Sequence, residues 1–286
     1  GILINVGEHD YDYDYRKIFF LLNRRCWKIF GIWPGTTPNR NYKCYSFLCL
    51  FSFLFVYNAL LTVNLFYTPL QVNLIIEELM FYFNEVSVMT KVGTILFWRK
   101  EILTVCDLLD SDIFKGNDRD SRDIIAKAAR TYKICLKSNT FLCHICFFYG
   151  PVLSGLKQFL SSNKENILPV SKYHLLSTET KEHYFGYLYA YQLIGVYIQM
   201  MYNLTIDSFL AGLLFYAITQ MKVLSHELRN LLASLARHGY NNIVLCFCFR
   251  YCASVQDIFS LALFVQIGTS SVTICSVLCE LLLVCL

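Results

Sequence analysis

Residues 44–66 read CYSFLCLFSFLFVYNALLTVNLF and hold no charged side chain. A helix of roughly 20 such residues matches the hydrocarbon thickness of a bilayer. Arg40 and Lys43 stand just before the run, where a lipid headgroup region would begin. A soluble protein could bury such a helix only beneath a large polar shell, and the chain lacks the material for one. It is 56% hydrophobic and 16% charged, against about 25% charged residues in a soluble domain. The expected fold class is all-α: a polytopic membrane helix bundle rather than a soluble enzyme.

Four further stretches fit the same constraint. Residues 75–98 hold Glu77, Glu78, Glu85 and Lys91 among long aromatic and β-branched runs, as a span packed against neighbours would. Residues 134–156 carry Lys137 near the start and Pro151 near the end. Residues 184–217 are too long to be only a span and are expected to project beyond the bilayer. Residues 258–286 hold Glu280 as their one charge.

Lys and Arg sort by flank. The segment 1–43 carries Arg16, Lys17, Arg24, Arg25, Lys28, Arg40 and Lys43, and 99–133 carries a comparable basic set from Arg99 to Lys133. The connection between the first two spans has neither Lys nor Arg. Residues 157–183 hold four lysines. By the positive-inside bias the N-terminus is cytoplasmic, 99–133 a cytoplasmic loop and 157–183 extracellular. Five crossings then place the C-terminus outside. The chain opens on Gly1 rather than Met and is expected to be clipped there.

Two amphipathic helices are expected on the cytoplasmic side. In 15–33, Phe19, Leu22, Cys26, Phe30 and Trp33 share one arc opposite Lys17, Arg24 and Lys28. Such a helix lies in the membrane interface, or packs on the bundle, and Pro34 ends it. In 218–237, Met221, Leu224, Leu228, Leu231 and Leu235 line one face. Gly239 and Asn241–Asn242 are expected to break that helix before residues 243–257 resume it. Asp110–Asp123, with Gly116-Asn117-Asp118, reads as a solvated turn between helices.

The chain shows no phosphate loop, zinc helix or nucleophile elbow. Cys143-His144-x-Cys146 and Cys246-x-Cys248-x3-Cys252 resemble metal spacings but lack four placed ligands, so neither metal nor cofactor is expected. The thirteen cysteines lie mostly in apolar runs as small hydrophobes. The glycosylation sequon at Asn203 falls inside the fourth span. Glu85 and Lys91 are ionisable at membrane depth, which marks functional candidates; the bland alternative has Lys91 snorkelling and Glu85 paired with a polar neighbour.

An aromatic stripe is more informative. Tyr187, Tyr191, Ile194, Ile198 and Tyr202 recur at helical spacing, with Gly195 leaving room beside them. Phe148 and Val152 in the third span, and Tyr82 and Phe83 in the second, sit at similar depth. An apolar cavity with a few hydroxyls suits a small volatile or lipophilic ligand. The candidate ligand-binding set is therefore Tyr82, Phe83, Phe148, Val152, Tyr187, Tyr191, Gly195 and Ile198. Helix packing or an interfacial aromatic belt would use the same residue types.

The stretch Ile258-Phe259-Ser260, then Gln266, Ser270-Ser271 and Ile274-Cys275, with Asp257 ahead of it, resembles a signature of insect odorant receptors. Ile267 stands where that pattern has Phe. Gly31-Ile32-Trp33-Pro34 is similar to the Gly-Leu-Trp-Pro before the family's first span. Lys91, Gln192, Asp207 and the Leu-rich 224–235 helix are similar to features of its second and fourth spans. The resemblance implies seven spans with a cytoplasmic N-terminus, of which the sixth and the pore-lining seventh are expected to be absent here. It implies an odorant-gated, non-selective cation channel subunit in the plasma membrane of olfactory sensory neurons. It also implies assembly with a co-receptor in a hetero-tetramer, and an odorant site among the second, third, fourth and sixth spans. No nucleic-acid partner is implied. A gustatory-type receptor would differ in the last span. A G-protein-coupled receptor would reverse the N-terminus, and no Asp-Arg-Tyr follows the third span. A transporter would show inverted repeats, and the two halves of the chain share no similarity.

Overall fold

The computed structural model describes residues 23–33, 40–109, 119–160, 168–173, 176–231 and 238–285. All regular structure among them is helical. Helix α1 covers 23–29. Helix α2 runs Arg40–Tyr67, with a π-helical turn at Phe51–Val56. Helix α3 is Val72–Phe97 and α4 is Arg99–Leu109. Helix α5 starts at Arg119 and continues through a second π turn, Phe148–Val152, to Leu160. Helix α6 is Thr178–Leu231 and α7 is His238–Cys285.

Among the described residues, Arg40–Tyr67, Arg119–Lys157, Thr178–His226 and Phe249–Cys275 are long and apolar enough to cross a membrane. Helix α3 has the length, at 26 residues, but four charges dilute its apolar character. The 54 residues of α6 form one unbroken helix, about 80 Å long at 1.5 Å per residue, so the fourth span and the amphipathic helix expected after it are a single element.

Three expectations change in detail. Helix α1 ends before Gly31 rather than at Pro34. Gly31 has φ +79°, and the Ile32 N–H bonds the Trp27 carbonyl at 2.8 Å. That is a Schellman ending, which needs a left-handed residue that glycine supplies without steric cost. Trp27 and Ile32 are fully buried, so this end of the helix is packed against protein. The part of the expected helix at 15–22 lies outside the described residues. Second, 99–133 is largely helical. Ile102, Val105 and Cys106 in α4, and Ile125, Ala129 and Tyr132 in α5, are buried at helical spacing; of the turn expected at 110–123, residues 110–118 lie outside the described residues and 119–123 form the first turn of α5 instead. Third, Gly239, Asn241 and Asn242 lie in the opening turns of α7 and do not interrupt a helix. An opening turn tolerates them because its N–H groups have no intrahelical acceptors to lose.

The chain divides into two compact units. The first takes Thr94–Asn139, Thr205–Ser260 and the residues through Cys26. Its core joins α5, α6 and α7. The Tyr132 hydroxyl donates to the Ser208 carbonyl at 2.5 Å, and Tyr251 donates to the Leu213 carbonyl at 2.8 Å. Phe209 and Phe259 meet with ring centroids 6.3 Å apart. Phe259, from the Ile-Phe-Ser stretch, is therefore a core residue of this unit.

The second unit takes Trp27–Gly93, Thr140–Leu204 and Leu261–Leu286. One face of α2 fastens it to the end of α1. Tyr42 donates to the carbonyls of Lys28 and Trp33, Tyr45 to that of Ile29, and Ser46 to that of Gly31. The Cys49 thiol and the Tyr202 hydroxyl, at 3.4 and 2.8 Å, both reach the Phe30 carbonyl. Residues 42, 45, 46 and 49 share one helical stripe. They supply donors to carbonyls that the end of a helix leaves unsatisfied.

Candidate ligand-binding site

The second unit holds the candidate residues, and its polar groups explain how they are positioned. A π turn widens the helix and frees carbonyls from the regular ladder. In α2 those carbonyls are taken by side chains of α6: Tyr191 donates to Ser52 O at 2.9 Å and Gln199 to Phe53 O at 2.8 Å. In α5 the Tyr189 hydroxyl donates to Pro151 O at 2.5 Å. Gly155 permits that approach, since a methyl there would overlap the Tyr189 ring. Helix α6 is thus locked to both π turns by side-chain donors.

The segment 168–173 is pinned by a buried polar cluster. Gln192 donates to the Ser171 carbonyl at 2.8 Å and accepts from the backbone N–H of Val170 and Ser171 at 3.1 and 3.4 Å. Asn64 of α2 donates to Glu78 of α3 at 3.1 Å and to the Ser171 hydroxyl at 2.7 Å, and that hydroxyl donates to Glu78 at 3.3 Å. Asn64 and Ser171 have no exposed surface, and Gln192 and Glu78 almost none. The arrangement lets polar groups sit in an apolar interior with their bonds made inside the protein. It also holds Tyr173, a non-glycine residue at φ 43°, with its side chain buried. Burial pushes the Tyr173 phenol up to about 12, against a hydrogen bond with Gln192 that pulls it down.

Beside this cluster lies an aromatic group. Tyr57, Leu61 and Val170 form a buried core with Phe81, Tyr191 and Val196 packed on it. Tyr191 stacks near Phe53 and tilts against Tyr57, each with centroids 6.0 Å apart. Gly195 faces the Tyr57 ring so closely that an added methyl would overlap two ring carbons.

The eight candidate residues divide in this setting. Tyr191 and Gly195 meet on Tyr57, and Ile198 is buried one turn further along α6. Tyr82 and Phe83 are half-buried and touch each other edge to face at 5.8 Å. Val152 is half-buried in the α5 π turn. Phe148 and Tyr187 are 52% and 80% exposed, which suits a lipid-facing belt. The stripe on α6 is therefore not uniform: exposed at Tyr187 and Ile194, fully buried by Tyr202.

Lys91 does not snorkel. Its side chain is 2% exposed and its ammonium donates to the Asn203 side-chain oxygen. Glu85 is equally enclosed, at 5% exposed, and its Oε2 has no hydrogen-bond partner among the described residues. The reading of the sequence missed the anchors: Tyr57, Asn64, Glu78, Ser171 and Gln199. Their signal was present, since an Asn or Gln inside a lipid-spanning run needs a protein partner.

A model of the 7tm odorant receptor family matches residues 71–285. No curated protein matches the chain. Among solved structures, the olfactory receptor OR5 of the insect Machilis hrabei has the same fold, with TM-score 0.68 at 14% identity over 93% of this chain and 71% of that one. The structure of the same receptor in complex with eugenol gives TM-score 0.71 at 11% identity, over 94% and 71%.

Proposed function

The chain belongs to the 7tm odorant receptor family, and on that premise we propose that it binds a small volatile or lipophilic odorant within its second unit and serves as a subunit of an odorant-gated cation channel. The family match over residues 71–285 carries this reading. A receptor with the same fold is known in complex with eugenol, which supports a small lipophilic ligand for this fold. The chain is a multi-pass membrane protein of a receptor family, not of an enzyme family.

The binding residues in this reading are the aromatic group around Tyr191, Gly195 and Ile198, with Tyr82, Phe83 and Val152 at its margins. Phe148 and Tyr187 belong to the margin nearest lipid. The N-terminus lies in the cytoplasm, as the basic flanks require. The subunit works in a hetero-tetramer with a co-receptor in the plasma membrane of olfactory sensory neurons. A ligand opens such a channel only by contacting the open state better than the closed one. Helix α6 suits that coupling, because it carries the aromatic group and continues as helix through Leu231.

Expression with a co-receptor subunit in a cell without other receptors, followed by calcium or current recording against an odorant panel, tests the proposal. A ligand-evoked, non-selective cation current is expected. A subunit that reaches the surface with its co-receptor and stays silent to the whole panel overturns it.

A further inference from the structure

The first half of α5 carries a basic face. At about 100° per residue, Arg119, Arg122, Lys127, Arg130, Lys133 and Lys137 fall within one arc of about 140°, and all six are exposed. The buried Ser121, Ile125, Ala129 and Tyr132 fall outside that arc. The face is about 27 Å long at roughly 1.5 Å per residue. Asp123 is the one acid within the arc. Asp120, just outside it, meets His226 at 3.7 Å. Among the described residues, none of the six cations is in an ion pair. The positive-inside bias explains why this flank is basic, but not why its cations share one face. Nor does a bilayer surface reach all of them. Arg122 stands about 18 Å along the helix from Ile134, where the apolar run begins, which is more than two Debye lengths at physiological salt.

The chain supplies an acidic segment of its own. Glu8, Asp10, Asp12 and Asp14 alternate with Tyr11, Tyr13 and Tyr15, and residues 8–15 hold no Lys or Arg. In an extended chain alternate side chains point to opposite sides, so that spacing can present the four carboxylates together. Residues 1–22 lie outside the described residues, and the described chain starts at Asn23. Asn23 is 1% exposed and accepts from the Ser208 hydroxyl at 3.2 Å. The Ser208 carbonyl in turn takes the hydroxyl of Tyr132 in α5. The N-terminal segment therefore joins the described fold beside the middle of the basic helix, and both belong to the same compact unit. Asp14 precedes Asn23 by nine residues, a reach of about 30 Å if extended and about 13 Å if helical. Either length passes round a helix about 10–12 Å across.

We propose that the acidic segment 8–14 docks through its carboxylates on the basic face of α5 in the same molecule. This rests on the reading that places 1–43 and 99–133 on one side of the membrane. A single exposed ion pair is weak. Here four anions meet six cations, and the tether raises their effective concentration to about the millimolar range.

The test uses the full chain in nanodiscs of neutral phosphatidylcholine. A carbodiimide joins carboxylates to amines in direct contact, and mass spectrometry maps the links. Links from Asp10, Asp12 or Asp14 to Lys127, Lys133 and Lys137 are expected to exceed those to Lys100 and Lys222, exposed lysines of the same unit, by at least about fivefold. Arg119→Glu, Arg122→Glu and Arg130→Glu together leave those lysines in place. They should cut the links at least about fivefold, the factor that roughly 1 kcal/mol of lost attraction gives. Asp123 and Lys127, one helical turn apart, should link in every sample and report that α5 is intact. Absence of links from the segment, equal yields at all five lysines, or yields that the three charge reversals leave unaltered overturn the proposal. Repeating the reaction with phosphatidylserine added to the lipid distinguishes the other occupant of a basic face. The links are expected to persist there, and their loss to the anionic leaflet overturns the proposal.

Discussion

Gly195→Ala sets two known effects against each other at one position. In a helix interior, alanine is better than glycine by about 1 kcal/mol, because glycine loses more backbone freedom on ordering. At residue 195 the new methyl would overlap Cε2 and Cδ2 of Tyr57. Tyr57 cannot simply swing out: it is 1% exposed and packs with Leu61 and Val170, with Tyr191 against the same cluster. Forcing a methylene-sized group into a packed core costs about 1–3 kcal/mol. The net expectation is a loss of roughly 0–2 kcal/mol. The decisive quantity is the sign change in a second background. With Tyr57→Ala the obstruction is gone, so Gly195→Ala should then stabilise by about 1 kcal/mol. Denaturant unfolding of the four proteins in one detergent closes the double-mutant cycle, with an expected coupling of about 1–3 kcal/mol. If Gly195→Ala stabilises the protein that retains Tyr57, the close approach of α6 to α2 does not exist and the packing argument for the aromatic group fails.

Three further outcomes follow from the polar contacts. Gln192→Leu removes a donor and an acceptor from segment 168–173 and should cost about 2–3 kcal/mol; limited proteolysis should then cut that segment faster, whereas Gln192→Glu, which keeps the acceptor, should fall between. Asn203→Leu should destabilise more than Lys91→Met, by about 1.5–3 kcal/mol in thermal unfolding, because the first weakens the bonding of a buried ammonium and the second removes the charge. The Tyr173 phenol holds its proton to about pH 12 when folded and to about 10 when unfolded, so the folded state binds more protons in that window. Its contribution is whole below pH 10 and lost by pH 12, a fall of ~2–3 kcal/mol that Tyr173→Phe should remove from the pH profile.

The four described helices long and apolar enough to cross a membrane are legible in the sequence because lipid imposes a crude rule: a long run without charges has nowhere else to go. The α4 helix is legible in the sequence only as a flank of the expected turn, because its charges, Arg99, Lys100, Glu101 and Asp107, outweigh its three buried apolar residues, although their spacing of three and four is helical. The end of α1 was misplaced at Pro34 because proline is the louder signal, while Gly31 makes the actual turn. The aromatic stripe lies on α6, but the sequence does not tell its sides apart. A helix apolar all round has no polar face to mark which side meets lipid, so Tyr187 and Tyr191, one turn apart, read alike and end with different exposure.

Polar residues break that ambiguity, and they do so more sharply in lipid than in water. A surface Asn on a soluble helix says nothing about its neighbours, since water satisfies it. Asn64, Gln192 and Gln199 lie within runs that are otherwise apolar, and each marks the face of its helix that meets protein. Projecting from Gln192 and Gln199 along α6 at 100° per residue selects residues 188, 195, 196 and 203 as their companions on the inner face. That set includes Gly195 and Asn203, which the structure places against Tyr57 and Lys91. The same rule reaches Glu85, which its charge marks as inward-facing and which is 5% exposed. Like Asn64 Oδ1 and Gln199 Oε1, its Oε2 has no hydrogen-bond partner among the described residues, so the rule tells which face of a helix meets protein without satisfying every polar atom placed there.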